Sequence, residues 1–486
     1  MRTIFLCFVF STILSPMGHG AETPDPIPTL HATEEPKGPA ALAYSKMPKE
    51  TLTAQAEQGV IGAQWQLGLR YYRGKGGVER DYTAAAKWLT RAADAGEPAA
   101  QFLLGTMYLE EKGLPKNPAN PAKGALWLEK AAQQNYTPAQ TRFASLLLQG
   151  TGVPKDSTAA LTWLQIAAKA GNDEAQCRLG ELFEKGTEVP VDLPAAVTWY
   201  KRSADQGNAI AQNNLACLYK DGHGVTKDLK VAVDLFTQAA RSGHARAQFN
   251  LGLMSAAGEG QKQDFAKAAE WYGLAADQGL AEAQFNLGCM RYAGQGGDKD
   301  LKTAGELYRL AAEQEFGPAQ LNYARMLWNG DGLPRDAVEA VRWLRRAAAQ
   351  NEAAAEVMLA DACLKGEGTA ADPAEAAQWC KKAAERGHPV GQFLYGSLLL
   401  RGIGATQNDA EGAVWIKKSA DQKFPAALYF LSLLYAQGRG VEKNEVEADK
   451  WLKSAADFGY QKAVDDLKAR ANPAPAPAVA PVPVPK

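Results

Sequence analysis

Apolar residues recur along this chain in two helical patterns, and both patterns repeat every 36 residues over most of its length. In the first, an Ala-Gln pair is followed by apolar residues three, six and seven positions beyond the Gln, as in Ala211-Gln212-Asn213-Asn214-Leu215-Ala216-Cys217-Leu218-Tyr219. That spacing keeps one side of a helix apolar. In the second, Ala196 precedes Trp199 by three residues and Ala204 follows it by five. The Gln slot is filled in order by Gln64, Gln101, Gln140, Gln176, Gln212, Gln248, Gln284, Gln320, Glu356, Gln392 and Leu428, which number repeats 1 to 11. The Trp slot holds Trp88, Trp127, Trp163, Trp199, Trp271, Trp343, Trp379, Trp415 and Trp451, with Leu235 and Leu307 in its two gaps.

Each repeat therefore predicts two helices, A around the Gln and B around the Trp. Glycine stands ten residues beyond the Gln slot in ten of eleven repeats and twelve beyond it in ten of eleven, with Glu111 and Glu188 as the exceptions. Glycine there supplies the positive φ that ends helix A and turns the chain. Ala lies three residues before the Trp slot in nine repeats and five after it in all eleven. Small residues at those positions let neighbouring helices approach, and the indole is expected to fill the space between them. The prediction is an all-α solenoid of antiparallel helix pairs, each repeat resting on its neighbours. Residues 51–59 read as the end of a B helix and residues 460–471 as a lone A helix, so half-repeats are expected to cap the array.

The motif Ala-Gln-x-x-Leu-Gly-x-x-Tyr, then Gly-x-Gly-Val, then Ala-x-x-Trp-Tyr-x-x-Ala-Ala-x-x-Gly resembles the Sel-one-like repeat family, a relative of tetratricopeptide repeats, and covers about residues 60–460. The resemblance implies a right-handed superhelix. It also implies an adaptor role in membrane-bound, periplasmic or endoplasmic-reticulum complexes, or contact with host proteins after secretion. It implies a protein partner. Some relatives carry one disulfide per repeat; here Cys363 and Cys380 share a repeat as one candidate pair, and buried free thiols are the other reading.

Regions outside the array add a location. Residues 1–20 read as a secretory signal: Arg2, an apolar run over 4–14 that is too short to span a bilayer, and small residues at Gly18 and Gly20 before a cut at Ala21. An uncleaved anchor is the alternative. Residues 21–45 are rich in Pro, Thr and Glu and read as a disordered linker. Residues 46–471 are assigned to the solenoid. Residues 472–486 carry Pro at nearly every second position and read as a polyproline-II tail, a spacer or a groove ligand. No stable membrane span is expected after signal removal, and a periplasmic or secreted monomer is. With Lys and Arg at 53 against Asp and Glu at 54, the net charge of −1 argues against nucleic acid as a partner.

Candidate chemistry is sparse. The Gly-x-Gly loops lie between helices, whereas a dinucleotide fingerprint needs a strand before its glycines. His31, His223, His244 and His388 make no metal-ligand spacing with Cys or one another, so neither metal nor cofactor is expected. The Ser-x-x-Lys signature of penicillin-binding chemistry is absent from the sequence. The more informative row is the slot two residues beyond the Gln. It reads Gln66, Leu103, Arg142, Arg178, Asn214, Asn250, Asn286, Asn322, Met358, Leu394 and Phe430. Arg142, Arg178, Asn214, Asn250, Asn286 and Asn322 are candidates for binding a peptide, by amide hydrogen bonds and by Arg–carboxylate pairs. The competing reading is that the Asn ladder bridges repeats. The sequence thus points to a non-catalytic scaffold outside the cytoplasm. A secreted factor engaging host or extracellular proteins is a second reading, and a hydrolase of cell-wall or β-lactam substrates a third. Intact-mass measurement of the exported protein is expected to place its N-terminus at or near Ala21; a soluble form that retains Met1 would refute cleavage.

Overall fold

The computed structural model describes residues 39–471, and among them every regular element is a helix, twenty-five in all. The expected signal, most of the expected linker and the Pro-rich tail lie outside the described residues. Helix is already present at Pro39–Lys46, inside the stretch read as linker. Two compact units divide at Asp264 and Phe265. The first ends after the A helix of repeat 6 (Ala245–Ala257); the second begins with that repeat's B helix (Phe265–Asp277).

Within each unit the A helix packs along its own B helix and against the B helix before it. Most B helices start on a side-chain cap, although the B helix of repeat 2 (Asn120–Gln133) follows Ala119 and has none. In the first unit Asp156 accepts from the Ala159 amide and Asp192 from the Ala195 amide; in the second Asp336, Asp372, Asn408 and Asn444 do the same. Losing such a cap costs about 1 kcal/mol. Each A helix but one ends on a left-handed glycine, such as Gly222 at φ 78°. The non-glycine residues at positive φ all sit in the repeat's turn slots: Glu111 after helix A, and Asn135, Glu315, Asn351 and Lys423 after helix B.

The second loop glycine does more than turn the chain. A Cβ on Gly224 would lie 2.7 Å from the Leu193 carbonyl carbon, at the start of the preceding repeat's B helix. The loop of one repeat thus rests on the backbone of the repeat before it. In repeat 4 the slot holds Glu188, which instead pairs with Lys155 at 2.8 Å and bonds Ser157.

The Gln slot closes the stack. A B helix ends with carbonyls that have no partner within the helix. Gln176 Nε2 donates to Ala168 O at 3.0 Å, Gln212 to Ala204 O at 3.2 Å and Gln248 to Ala240 O at 3.1 Å. The second unit repeats the contact from Gln284 to Ala276 O and from Gln320 to Ala312 O, each at 3.2 Å. The Gln oxygen is used as well: Gln206 donates to Gln176 at 2.8 Å and Gln350 to Gln320 at 2.9 Å. Where the slot is Glu356, fully buried, the donor thirty residues on is Arg386, at 3.2 Å. Where it is Leu428, the same partner position is Phe458.

Two expectations change. The indole is not the main filler of the helix–helix space. The residue after it is, from Leu89 through Tyr200 to Leu344 and Leu452, at most 3 % exposed in every repeat. Trp199, Trp379 and Trp415 are only half-buried. Arg202 lies over the Trp199 ring at 4.7 Å, and Lys382 and Lys418 lie over Trp379 and Trp415 at 3.9 Å. These three rings are thus half-exposed with a cation above each, whereas Trp88 and Trp343 are buried. Nor are Cys363 and Cys380 joined; both are free, buried thiols. Cys363 lies beside the Glu375 carboxylate, and Cys380 fills the buried slot after Trp379. Burial pushes their thiols up to about 11 and about 12, which disfavours the reactive thiolate.

The N-terminal cap is held by the buried Leu52 and Ala56, by Gln64 donating to Ala56 O at 3.1 Å, and by Arg70. Arg70, buried in helix A of repeat 1 (Ile61–Arg73), donates to the carbonyls of Tyr44, Ser45 and Met47 at 3.2, 3.0 and 2.6 Å.

These contacts rank substitutions. Leu344→Ala should cost about 2–5 kcal/mol and Trp199→Ala less, because its ring is half solvated. Gln284→Leu should cost about 0.5–1.5 kcal/mol, because it removes one of the two hydrogen bonds to the Ala276 carbonyl, the other coming from the Gly279 amide, and the acceptor of Gln314. Amide exchange in Q284L is expected to rise over residues 265–313 and to stay unchanged over 389–437. Equal loss of protection in both regions would contradict repeat-by-repeat stability.

Candidate functional site

The slot two beyond the Gln lies on the A helices, and its side chains are half-buried from repeat 3 to repeat 10. In the first unit it presents Arg142 (helix A of repeat 3, Thr137–Gln149), Arg178 (repeat 4, Asp173–Lys185), Asn214 (repeat 5, Ala209–Asp221) and Asn250. In the second it presents Asn286 (Ala281–Ala293), Asn322 (Gly317–Asn329), Met358 (Ala353–Lys365), Leu394 (Pro389–Arg401) and Phe430 (Pro425–Gln437). Phe430 is 38 % exposed and meets the Phe393 ring at 5.2 Å.

The asparagines are engaged between repeats. Asn214 Nδ2 lies 3.4 Å from the Tyr200 hydroxyl, and that hydroxyl donates to Glu184 at 2.6 Å. Asn286 bonds Tyr272 and Asn322 bonds Tyr308 in the same way. The Tyr308 hydroxyl in turn donates to Cys289 Sγ at 3.3 Å. In all three pairs the Tyr precedes the Asn by fourteen residues, from the B helix before. Where that B-helix slot is Phe236, Asn250 turns instead to Asn213 Oδ1 at 3.1 Å. Burial pushes the Tyr200, Tyr272 and Tyr308 hydroxyls far above the ordinary phenol range, so each stays a neutral donor and acceptor.

The two arginines differ. Arg178 is fixed by Glu181 from one turn along, at 3.0 Å. Arg142 has no hydrogen bond or ion pair with any described residue, and burial draws its guanidinium below the usual arginine range while Glu174 and Glu110 pull it back up. Burial likewise raises the Glu174 carboxyl, against the pull of Arg178 and Arg142. Glu110 is paired with Lys112 at 2.8 Å. The structure thus brings Arg142 and Arg178 into one charged cluster with Glu174, Glu181 and Glu110, none of which the sequence reading had placed there. The spacing of fourteen between Tyr and Asn was legible in the sequence and was not used.

Two histidines have structural posts. Nδ1 of His244 and of His388 accepts the amide of Ala247 and of Gly391, at 3.1 and 3.3 Å, capping helices A of repeats 6 and 10. Among the described residues no group of His, Cys, Asp and Glu is arranged to hold a metal ion, and no helix is long and apolar enough to cross a membrane.

Comparisons with known proteins agree with the geometry. The family model described as Sel1 repeat matches eleven successive segments, from 61–97 to 425–460. A solved protein described as c5321, a protective antigen present in uropathogenic Escherichia coli strains displaying an SLR fold, is 31 % identical, with a TM-score of 0.71 over 86 % of this chain and 90 % of that one. A Sel1 repeat protein of Oxalobacter formigenes is 29 % identical over 50 % of this chain and 96 % of that one, with a TM-score of 0.46. The ERAD-associated E3 ubiquitin-protein ligase component HRD3A of Arabidopsis thaliana is 40 % identical over 85 residues, 17 % of this chain and 12 % of that protein.

A double-mutant cycle checks the Asn–Tyr contact. Tyr308→Phe and Asn322→Ala are expected to show a coupling of about 0.5–1.5 kcal/mol in thermal or urea unfolding. Additive effects would mean that Asn322 is not part of the inter-repeat bond.

Proposed function

The chain belongs to the Sel1 repeat family, whose members act as protein–protein interaction scaffolds, and we propose that it works outside the cytoplasm as a non-catalytic adaptor, holding its partners on the A-helix face. The observation that supports this is the change of chemistry along one slot. The row runs from two arginines and two asparagines in the first unit to two asparagines and then Met358, Leu394 and Phe430 in the second. The residue after the Trp also varies, but it stays buried in every repeat; a row that changes chemistry while staying accessible suits segments of a partner protein. The Trp slot on the B helices varies only between Trp and Leu.

The extracytoplasmic setting is supported by the apolar run over residues 4–14 and the small residues before Ala21. A component of a ubiquitin-ligase assembly among the partial matches fits an adaptor class. A second reading, a secreted factor that meets host proteins, draws on the 31 % identical protective antigen of uropathogenic strains.

The test is site-specific photo-crosslinking in the source organism, with the crosslinking residue at Ser145 or Ser397 on the A helices, or at Leu126 or Val414 on the exposed side of the B helices. Discrete partner adducts from the A positions alone, in the envelope or medium fraction, are expected. Adducts equally from the B positions would overturn the A-face assignment, and a wholly cytoplasmic protein would overturn the setting.

A further inference from the structure

We propose that Arg142 receives an acidic side chain of the partner protein, and that Glu174 couples this binding to uptake of a proton. The inference rests on the A-helix face being the binding surface, and it selects one residue and one ligand chemistry on that face.

Arg142 stands apart from its neighbours in the row. On one side is Leu103, fully buried. On the other is Arg178, whose charge is answered by Glu181. Glu110 is answered by Lys112. Among the described residues that leaves a half-buried guanidinium with no hydrogen bond and a half-buried carboxyl, Glu174, with none either. A guanidinium presents five donors in a planar fork and is the side chain suited to bidentate capture of a carboxylate. Desolvating it without a partner is unfavourable, and an incoming carboxylate reverses that.

The surroundings choose among anions. Glu110 and Glu174 act on Arg142, and Glu174 and Glu181 act on Arg178. These carboxylates repel a phosphate dianion more strongly than a single carboxylate. A chain-terminal carboxylate is usually taken by unpaired backbone amides, and Arg142 lies mid-helix where the amides are used. An Asp or Glu side chain of an exposed segment remains.

The proton linkage follows from the same groups. The charges acting on Glu174 are Arg142 from the helix before it, and Asp173, Arg178 and Glu181 from its own helix. Burial already pushes its carboxyl up, and the two arginines oppose that. A bound carboxylate offsets the pull of Arg142, so Glu174 rises further and the complex holds more protons than the free protein. Affinity therefore increases as pH falls from neutral through the range where Glu174 titrates, while the ligand's own carboxylate stays ionised.

The experiment uses the full mature chain and a random peptide library with amidated C-termini, selected in parallel on wild type, Arg142→Met and Glu174→Gln. The expected peptides share an Asp or Glu. Changing that residue to Asn or Gln, or the protein to R142M, should weaken binding about 30-fold or more by fluorescence anisotropy. E174Q should bind at least as tightly at neutral pH and lose the rise in affinity on acidification. Should R142M fail to fold by circular dichroism, the change in the peptide carries the test. Selected peptides that lack an acidic residue, or that bind R142M unchanged, overturn the inference; so does selection that succeeds only with free C-termini. If such peptides are still displaced by Leu394→Ser or Asn214→Ala, the A-face reading stands without it. Should no A-face change affect any selected peptide, both fall.

Discussion

Most B helices end inside the stack on a carbonyl that accepts the turn amide three residues on, as Ala168 O does from Gly171, and keeps a second lone pair for the next repeat. The Gln side chain of the next repeat answers it: Gln176 to Ala168 O, Gln212 to Ala204 O, Gln284 to Ala276 O. This bond couples the end of one repeat to the start of the next. Its register is fixed because donor and acceptor are eight residues apart, on opposite sides of a single turn. The acceptor is itself the all-alanine slot, which allows the approach, and the loop glycine rests on the preceding helix from the other side. A net hydrogen bond contributes only about 1 kcal/mol, and the carbonyl keeps its turn amide when the Gln is absent, so the slot tolerates Glu356 and Leu428.

The substitutes that do occur show how the constraint works. Gln pairs with Gln, buried Glu356 pairs with Arg386, and Leu428 stands opposite Phe458. In these cases the two positions, thirty residues apart, match in polarity; Gln140, with Ala170 at that distance, leaves its side-chain oxygen without a partner. The Asn–Tyr pairs obey a second rule of the same kind, at a separation of fourteen. Polar groups in this fold are thus mostly consumed by the joining of repeats, and a polar residue left over is informative. Arg142 and Glu174 are left over; Asn214, Asn286 and Asn322 are not.

Turn slots carry a cost of a different sort. Glu111, Glu315 and Lys423 hold a left-handed conformation that an L side chain adopts at a cost of about 1–2 kcal/mol. They persist because the flanking helices are fixed by packing. The stability of the array is shared between neighbours, so strain at one turn is borne locally and leaves distant repeats untouched. Partner contacts on one stretch of the A face are therefore compatible with independent variation on another.

The sequence by itself determined the elements, their order and the period. Two helical patterns with glycines at constant offsets leave no other reading, because periodicity and left-handed turns are local properties. It also marked the row from Arg142 to Asn322 as exceptional. The tertiary structure decided what that row does locally. It showed the indoles half-solvated beneath Arg202, Lys382 and Lys418, and the buried role passing to Tyr200 and its equivalents. It left Cys363 and Cys380 as separate thiols. It also tied the asparagines to tyrosines of the helix before and left Arg142 beside Glu174 with neither bonded. None of this is local: whether a polar side chain is satisfied depends on which atoms a neighbouring helix brings within about 3 Å, and only the packed repeats fix that distance.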